Sequence, residues 1–144
     1  MATRLCAALI CAVLLAGTTV RAQDAQTAPA LCRTVGGTGS LEAELLFGRS
    51  IEGQGTVTDA QWSDFLGREV TPRFPDGLTV FEASGQWRDS ETKQIVHELS
   101  WIVMILAPNA PDTLTRLSEI RTAYKARFHQ QSVGLTLSQT CVDF

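Results

Sequence analysis

Three features of the sequence predict a single α+β domain. Apolar and polar residues alternate at 41–49 and again at 133–137, the period-two signature of half-buried strands. Apolar residues recur at spacings of three and four in 62–70 and 114–128, as in helices that bury one side. Two stretches rich in β-formers, 78–87 and 95–106, are separated by a wholly polar link, the pattern of a hairpin.

The first 22 residues read as a cleavable signal peptide. Arg4 supplies the charged start, Leu5 to Ala16 carry no charge, and Val20-Arg21-Ala22 offers a peptidase its small residues. The apolar run is shorter than the about 20 residues a spanning helix needs. Periplasmic or secreted localisation is therefore expected, with no membrane association after cleavage. Loss of residues 1–22 removes Arg4 and Arg21 and no acid, so the formal net charge goes from −3 to −3 − 2 = −5. An acidic domain without clustered Lys or Arg repels phosphate backbones, which argues against nucleic acid as a partner.

Two of the four cysteines, Cys6 and Cys11, leave with the signal. Cys32 and Cys141 remain, and an oxidising compartment favours a bond between them. Residues 23–40, poor in large apolar side chains, read as a flexible lead-in to a domain over 41–144.

Within that domain, Leu41, Ala43, Leu45 and Phe47 fall on one face of a first strand and Glu42 and Glu44 on the other. Thr58 with Gln61 forms a capping box, and Val57 with Trp62 a hydrophobic staple, so a helix starts at 58. Pro72 disfavours helical geometry at Thr71 and ends it. A second strand over 78–87 and a third over 95–106 follow. In the third, 101–106 is apolar on both faces, which marks a central strand. Asn109, Pro111 and Asp112 open a second helix carrying Leu114, Leu117, Ile120, Tyr124 and Phe128 on one side. A last strand alternates through Val133, Leu135 and Leu137 towards Cys141.

The order β-α-β-β-α-β with right-handed crossovers predicts a ferredoxin-like fold, a four-stranded antiparallel sheet with two helices on one face. Its last strand lies beside its first, which brings Cys141 to the segment carrying Cys32. The other sheet face would collect Glu44, Leu46, Glu98, Ser100, Ile102, Met104 and Leu106. Four of these seven are apolar, and such a patch predicts a covering partner, most simply a second copy in a homodimer.

The string Arg68-Glu69-Val70-Thr71-Pro72-Arg73-Phe74-Pro75-Asp76-Gly77-Leu78-Thr79-Val80, then Gly85-Gln86-Trp87-Arg88-Asp89, resembles domain-of-unknown-function family 3574. Glu44-Leu45-Leu46-Phe47-Gly48, the stretch from Ala123-Tyr124-Lys125 to Phe128 and a late cysteine extend the likeness over roughly residues 32–144. The resemblance implies an exported bacterial protein and carries no activity or catalytic residues with it. It also leads one to expect a polar residue near Trp101, so that position is assigned no role.

No nucleophile elbow, P-loop or dinucleotide fingerprint is present in the sequence. His97 and His129 lie on different elements, and no pair of residues has useful metal-ligand spacing, so neither metal nor cofactor is expected. The candidates for a small-molecule site are polar. Gln86, Trp87 and Arg88 would set a stacking ring between an amide and a guanidinium. Arg73 lies four residues after Glu69, placed to pair with it or to meet an anion. Glu98 and Glu44 would put two carboxylates on neighbouring strands, and Tyr124 would help line a cavity with the Trp87 group. The plainer alternative makes Glu69–Arg73 a surface pair, Trp87 a core residue and the glutamates solvated. The function expected is a non-enzymatic binding or interaction module. The alternative is a small cofactor-independent enzyme of the dimeric ferredoxin-like type, with a pocket between sheet and helices.

Overall fold

A computed structural model describes residues 30–51 and 55–144. The signal peptide expected over 1–22, and 23–29 of the lead-in, lie outside the described residues. A short helix, Ala30–Thr34 (α1), precedes strand Thr38–Gly48 (β1). A small ribbon of Ser50–Ile51 (β2) and Gly55–Thr56 (β3) leads to helix Asp59–Phe65 (α2), which continues as a π turn over Leu66–Val70. Then come strands Thr79–Arg88 (β4) and Ile95–Ala107 (β5), helix Pro111–Phe128 (α3) and strand Gly134–Val142 (β6).

The main sheet has the order β4-β5-β1-β6, with each neighbouring pair antiparallel. The last strand therefore lies beside the first, as the sequence predicts, and Cys32 is bonded to Cys141 with 5.5 Å between their Cα atoms. That bond ties the segment ahead of position 41 to the sheet. Residues from Ala30 onward, expected as lead-in, form α1 and the first rungs of β1, where Thr38 pairs with Val142 and Gly39 with Cys141.

One sheet face builds the core. Leu41, Ala43, Leu45 and Phe47 of β1 and Trp101, Val103, Ile105 and Ala107 of β5 are buried on it. Trp62, Phe65 and Val70 from the α2 segment and Leu117, Ile120, Tyr124 and Phe128 from α3 pack into the same cluster. Both helices thus sit on one face.

Local signals explain the helix ends. Gln61 N–H donates to Thr58 Oγ1 at 3.3 Å, and Thr58 N–H donates to Gln61 Oε1 at 2.9 Å, so the capping box forms. Val57 and Trp62 are both buried, as a staple requires. At the far end the turn is wider than expected, with Thr71 N–H donating to Leu66 O at 2.9 Å across five residues. Helix α3 also departs from expectation. Ala110, not Asn109, is its N-cap, with no side-chain bond, and Pro111 follows at N1 or N2. Thr113 is fully buried and donates to Pro108 O at 2.8 Å, while Leu114, expected on the inner face, is 45% exposed. With 100° per residue, centring the stripe on Leu117, Ile120 and Tyr124 turns position 114 outward and position 113 in.

Candidate functional site

Two polar features lie apart in the structure. The first lies where β1 ends. Tyr124, inside an aromatic cluster with Phe47 at 4.7 Å and Phe65 at 5.0 Å between ring centroids, donates its hydroxyl to Gly48 O at 2.8 Å. Arg49 follows, its guanidinium 4.0 Å above the Trp101 ring, which is in turn stacked on Trp62 at 4.3 Å and 2°. Two of its nitrogens donate to Val57 O, at 3.3 and 3.2 Å, and it pairs with Asp59 at 2.7 Å. This cluster anchors the β2–β3 ribbon to the sheet and engages the Nε and Nη2 donors of Arg49 within the protein. Trp101, given no role on sequence grounds, is the ring on which it is built.

Burial holds the Tyr124 hydroxyl well above the usual tyrosine range; the Arg49 charge works against the shift and the Glu98 charge with it. A raised folded value means stability that is complete below the unfolded tyrosine pKa of about 10 and is lost as pH climbs from there towards the folded value. Tyr124→Phe should cost about 1–2 kcal/mol at neutral pH, because Gly48 O loses its donor. The variant should also lose less stability than the parent between pH 9.5 and 11.5 or so, read by thermal melts across that range. Parallel slopes for the two proteins would refute the assignment.

The second feature is the sheet face away from the helices. Cross-strand partners share a face, so the register lays out rows. Phe81, Ile102, Leu46 and Gly134 form one row across β4, β5, β1 and β6. Thr79, Met104, Glu44 and Thr136 form the next, and Leu106, Glu42 and Ser138 the one beyond. On the other side come Ala83, Ser100 and Gly48, then Gly85 with Glu98, then Trp87 with Val96. Phe81 is 46% exposed, Leu46 39% and Trp87 51%. The positions on this face include Glu42, Glu44 and Glu98 but no Lys or Arg.

The structure does not bring the sequence-predicted residues into one pocket. Gln86 and Arg88 pair with His97 and Ile95 on the helix-side face of the β4–β5 hairpin. Trp87 points to the opposite face from both, because neighbours on a strand alternate, and it is half exposed instead of buried in the core. Arg88 donates to Lys93 O at 3.2 Å and so helps close the hairpin. Tyr124 is in the core, away from that group. Arg73 pairs with Glu69 at 2.9 Å as the spacing predicts, but also with Glu119 of α3 at 3.0 Å. Glu119, and less strongly Glu69, raises its pKa further, so this guanidinium is committed to its own carboxylates. Glu44 and Glu98 are not neighbours either. Glu44 pairs with Met104, six residues along β5 from Glu98, or roughly 20 Å. Trp87 and Glu98 share a face on adjacent strands, two residues out of register, with the Glu98 carboxylate turned to Gly48 and Ser50.

Glu98 is held in place. Its Oε1 accepts from Ser50 N–H at 3.1 Å. It lies against Gly48, where an added Cβ would fall 2.6 Å from that oxygen, so the missing side chain at 48 makes its room. Among the described residues no helix is long and apolar enough to cross a membrane.

The profile of the family described as "Protein of unknown function (DUF3574)" matches residues 42–144. Two solved structures share the fold. One is a phage SAM lyase in complex with S-methyl-5'-thioadenosine, with TM-score 0.56 and 14% identity, over 72% of this chain and 88% of that one. The other is phage SAM lyase in the apo state, with TM-score 0.54 and 18% identity, over 73% and 86%. At these identities the likeness is one of fold. No curated protein matches the sequence.

Proposed function

The chain belongs to the family described as protein of unknown function (DUF3574), and from that premise we propose an exported, non-enzymatic binding or interaction module acting through the open face of its sheet. The observation that carries this reading is the row Phe81, Ile102 and Leu46. It is apolar, it crosses three strands, and two of its members are more than a third exposed. Contiguous apolar surface of this kind marks an interaction site more often than bare surface. Export draws support from the Cys32–Cys141 bond, which suits an oxidising compartment, and from the signal-like first 22 residues. We read the fold as ferredoxin-like on the order of its four long strands and two long helices. A second copy, back to back across the apolar row, is the partner this reading assigns to the protein in isolation.

Light scattering of the mature protein at micromolar concentration tests it. A dimer is expected, and Phe81→Ser should shift it to monomer with little change in melting temperature, since Phe81 is half exposed. A parent protein that stays monomeric at tens of micromolar removes the self-association.

One observation favours a second reading, a small cofactor-independent enzyme: two solved structures that share this fold are of a phage SAM lyase. Incubation with SAM, followed by mass spectrometry, separates the two readings. Turnover would replace the binding-module reading, and unchanged SAM would leave it standing.

A further inference from the structure

We propose that the open sheet face binds a cationic amphipathic segment of another protein, its apolar stripe laid along β5 and its Lys or Arg along β1. This deepens the reading of that face as an interaction surface and rests on it. Side chains two apart on a strand share a face, so β5 and β1 present two parallel columns about 4.8 Å apart. The column on β5 is apolar, with Ile102, Met104 and Leu106, and Phe81 of β4 widens it beside Ile102. The column on β1 is largely acidic. It runs Glu42, Glu44, Leu46 and then the Glu98 carboxylate, which reaches across from β5 to lie over Gly48. A Cβ at Gly48 would stand on this face, 2.6 Å from Glu98 Oε1. Leu46 therefore has a carboxylate two positions away on either side, with about 13 Å of strand between Glu44 and Gly48.

Charge decides what covers this face. The described residues hold ten Lys and Arg, the chain's 12 less Arg4 and Arg21, and none stands at an open-face position of the four strands. No ion pair among the described residues involves Glu42, Glu44 or Glu98. Glu44 accepts from the Thr136 hydroxyl at 3.2 Å and Glu98 from Ser50 N–H at 3.1 Å, bonds that fix both carboxylates without neutralising them. A second copy brings three more carboxylates and no cation, so the back-to-back dimer carries like-charge repulsion. A segment with Lys or Arg beside its apolar stripe covers the same apolar column and replaces that repulsion with attraction. It is therefore the better complement and displaces the second copy. A single metal ion cannot bridge Glu44 and Glu98, which lie too far apart to share one coordination sphere. From Glu42 to Gly48 the acidic column spans about 20 Å, the length of about 13 residues of helix.

The probe is a synthetic helical peptide of about 14 residues, leucine on one side and lysine on the other. The control peptide carries glutamate in place of every lysine. Fluorescence anisotropy of the labelled peptide is read as the protein is raised from about 0.1 to about 100 μM. Saturable micromolar binding is expected for the lysine peptide and none for the glutamate peptide. Binding should weaken between about 0.05 and about 0.5 M sodium chloride, while self-association of the parent tightens as its repulsion is screened. Glu42→Gln combined with Glu44→Gln keeps an acceptor for Thr136 and removes two charges, which should weaken binding about three- to tenfold. Glu82→Gln combined with Glu91→Gln removes two exposed charges from the helix-side face and the hairpin turn, and should change it less than about twofold. Phe81→Ser should weaken it as well, with melting unchanged. Equal losses in the two double variants would mean attraction to net charge alone and overturn the proposal. So would equal binding of the glutamate peptide, binding that Phe81→Ser leaves intact, or no saturable binding. A monomeric parent that binds the lysine peptide loses the back-to-back dimer and keeps this partner. A dimer that the peptide displaces at no concentration keeps the dimer and loses this partner alone.

Discussion

Phe47→Ala is expected to lower the stability of the fold by about 3–5 kcal/mol, the range for emptying a buried aromatic site. Phe47 is fully buried on β1 and is the hub of the aromatic cluster. Its ring centroid lies 5.1 Å from Trp62, 5.9 Å from Phe65 and 4.7 Å from Tyr124, each in an edge-to-face arrangement. Those three residues come from both helical segments, so one side chain ties both to the sheet. The site cannot collapse easily, because its neighbours are rings fixed by one another and by the Tyr124 bond to Gly48 O. With a whole-domain stability of about 5–15 kcal/mol, roughly a fifth or more would be lost. Urea unfolding of the two proteins measures it, with Leu137→Ala, 46% exposed, as the control that should change little. A loss below about 1 kcal/mol for Phe47→Ala would mean that the cluster does not hold the layers together.

Much of this architecture was legible because it depends on short-range pattern. The capping box needs only Thr58 and Gln61 three apart, and the helix starts there. Alternation over 41–47 names the buried side of β1 correctly, and burial follows it residue by residue. The cysteine pairing was legible from topology, since a last strand beside the first leaves Cys141 one place to be.

What failed to be legible depends on lengths and register. Helix α3, with 18 residues, spans about 27 Å at 1.5 Å per residue. Strand β5, with 13 residues, spans about 43 Å. The hairpin therefore outruns the helices, and Leu99 and Ile95, on the side that should be covered, are 59% and 54% exposed. Trp87 shares that fate on the opposite face. A list of β-formers cannot say where the layer above them stops. Register likewise decided that Glu98 meets Gly85 and Gly48 and not Glu44, and no local signal encodes a six-residue offset. Arg49 was missed for the same reason. Its site consists of Trp101 and Asp59, brought to it by a strand partner and a helix start.

Cys141→Ser should lower the melting temperature by roughly 10–20 °C, from a loss of about 2–5 kcal/mol. The bond spans 109 residues, so its removal releases a large loop in the unfolded chain. In the folded protein the change is local. The bond sits at the open end of the β1–β6 ladder, beside the Gly39–Cys141 and Thr38–Val142 pairs, far from the Phe47 cluster. Its loss should fray α1 and these last rungs while the core keeps its packing. The cost then falls mainly on the balance with the unfolded ensemble and not on native contacts. This makes two expectations separable. If the effect is on the unfolded chain, near-ultraviolet circular dichroism of the variant at 20 °C or so matches the parent, and only the midpoint moves. If α1 and the first rungs hold the core in shape, the aromatic signal weakens before unfolding begins. Gly37→Ala probes the same point from the native side. Its Cβ would fall 2.7 Å from Cys141 Sγ and 3.0 Å from Val142 O, so the bridge must move to admit it. It should destabilise in the same direction while the bond is intact and cost less once Cys141 has been replaced, the tight approach to Val142 O remaining, and a double-mutant cycle reads the difference directly.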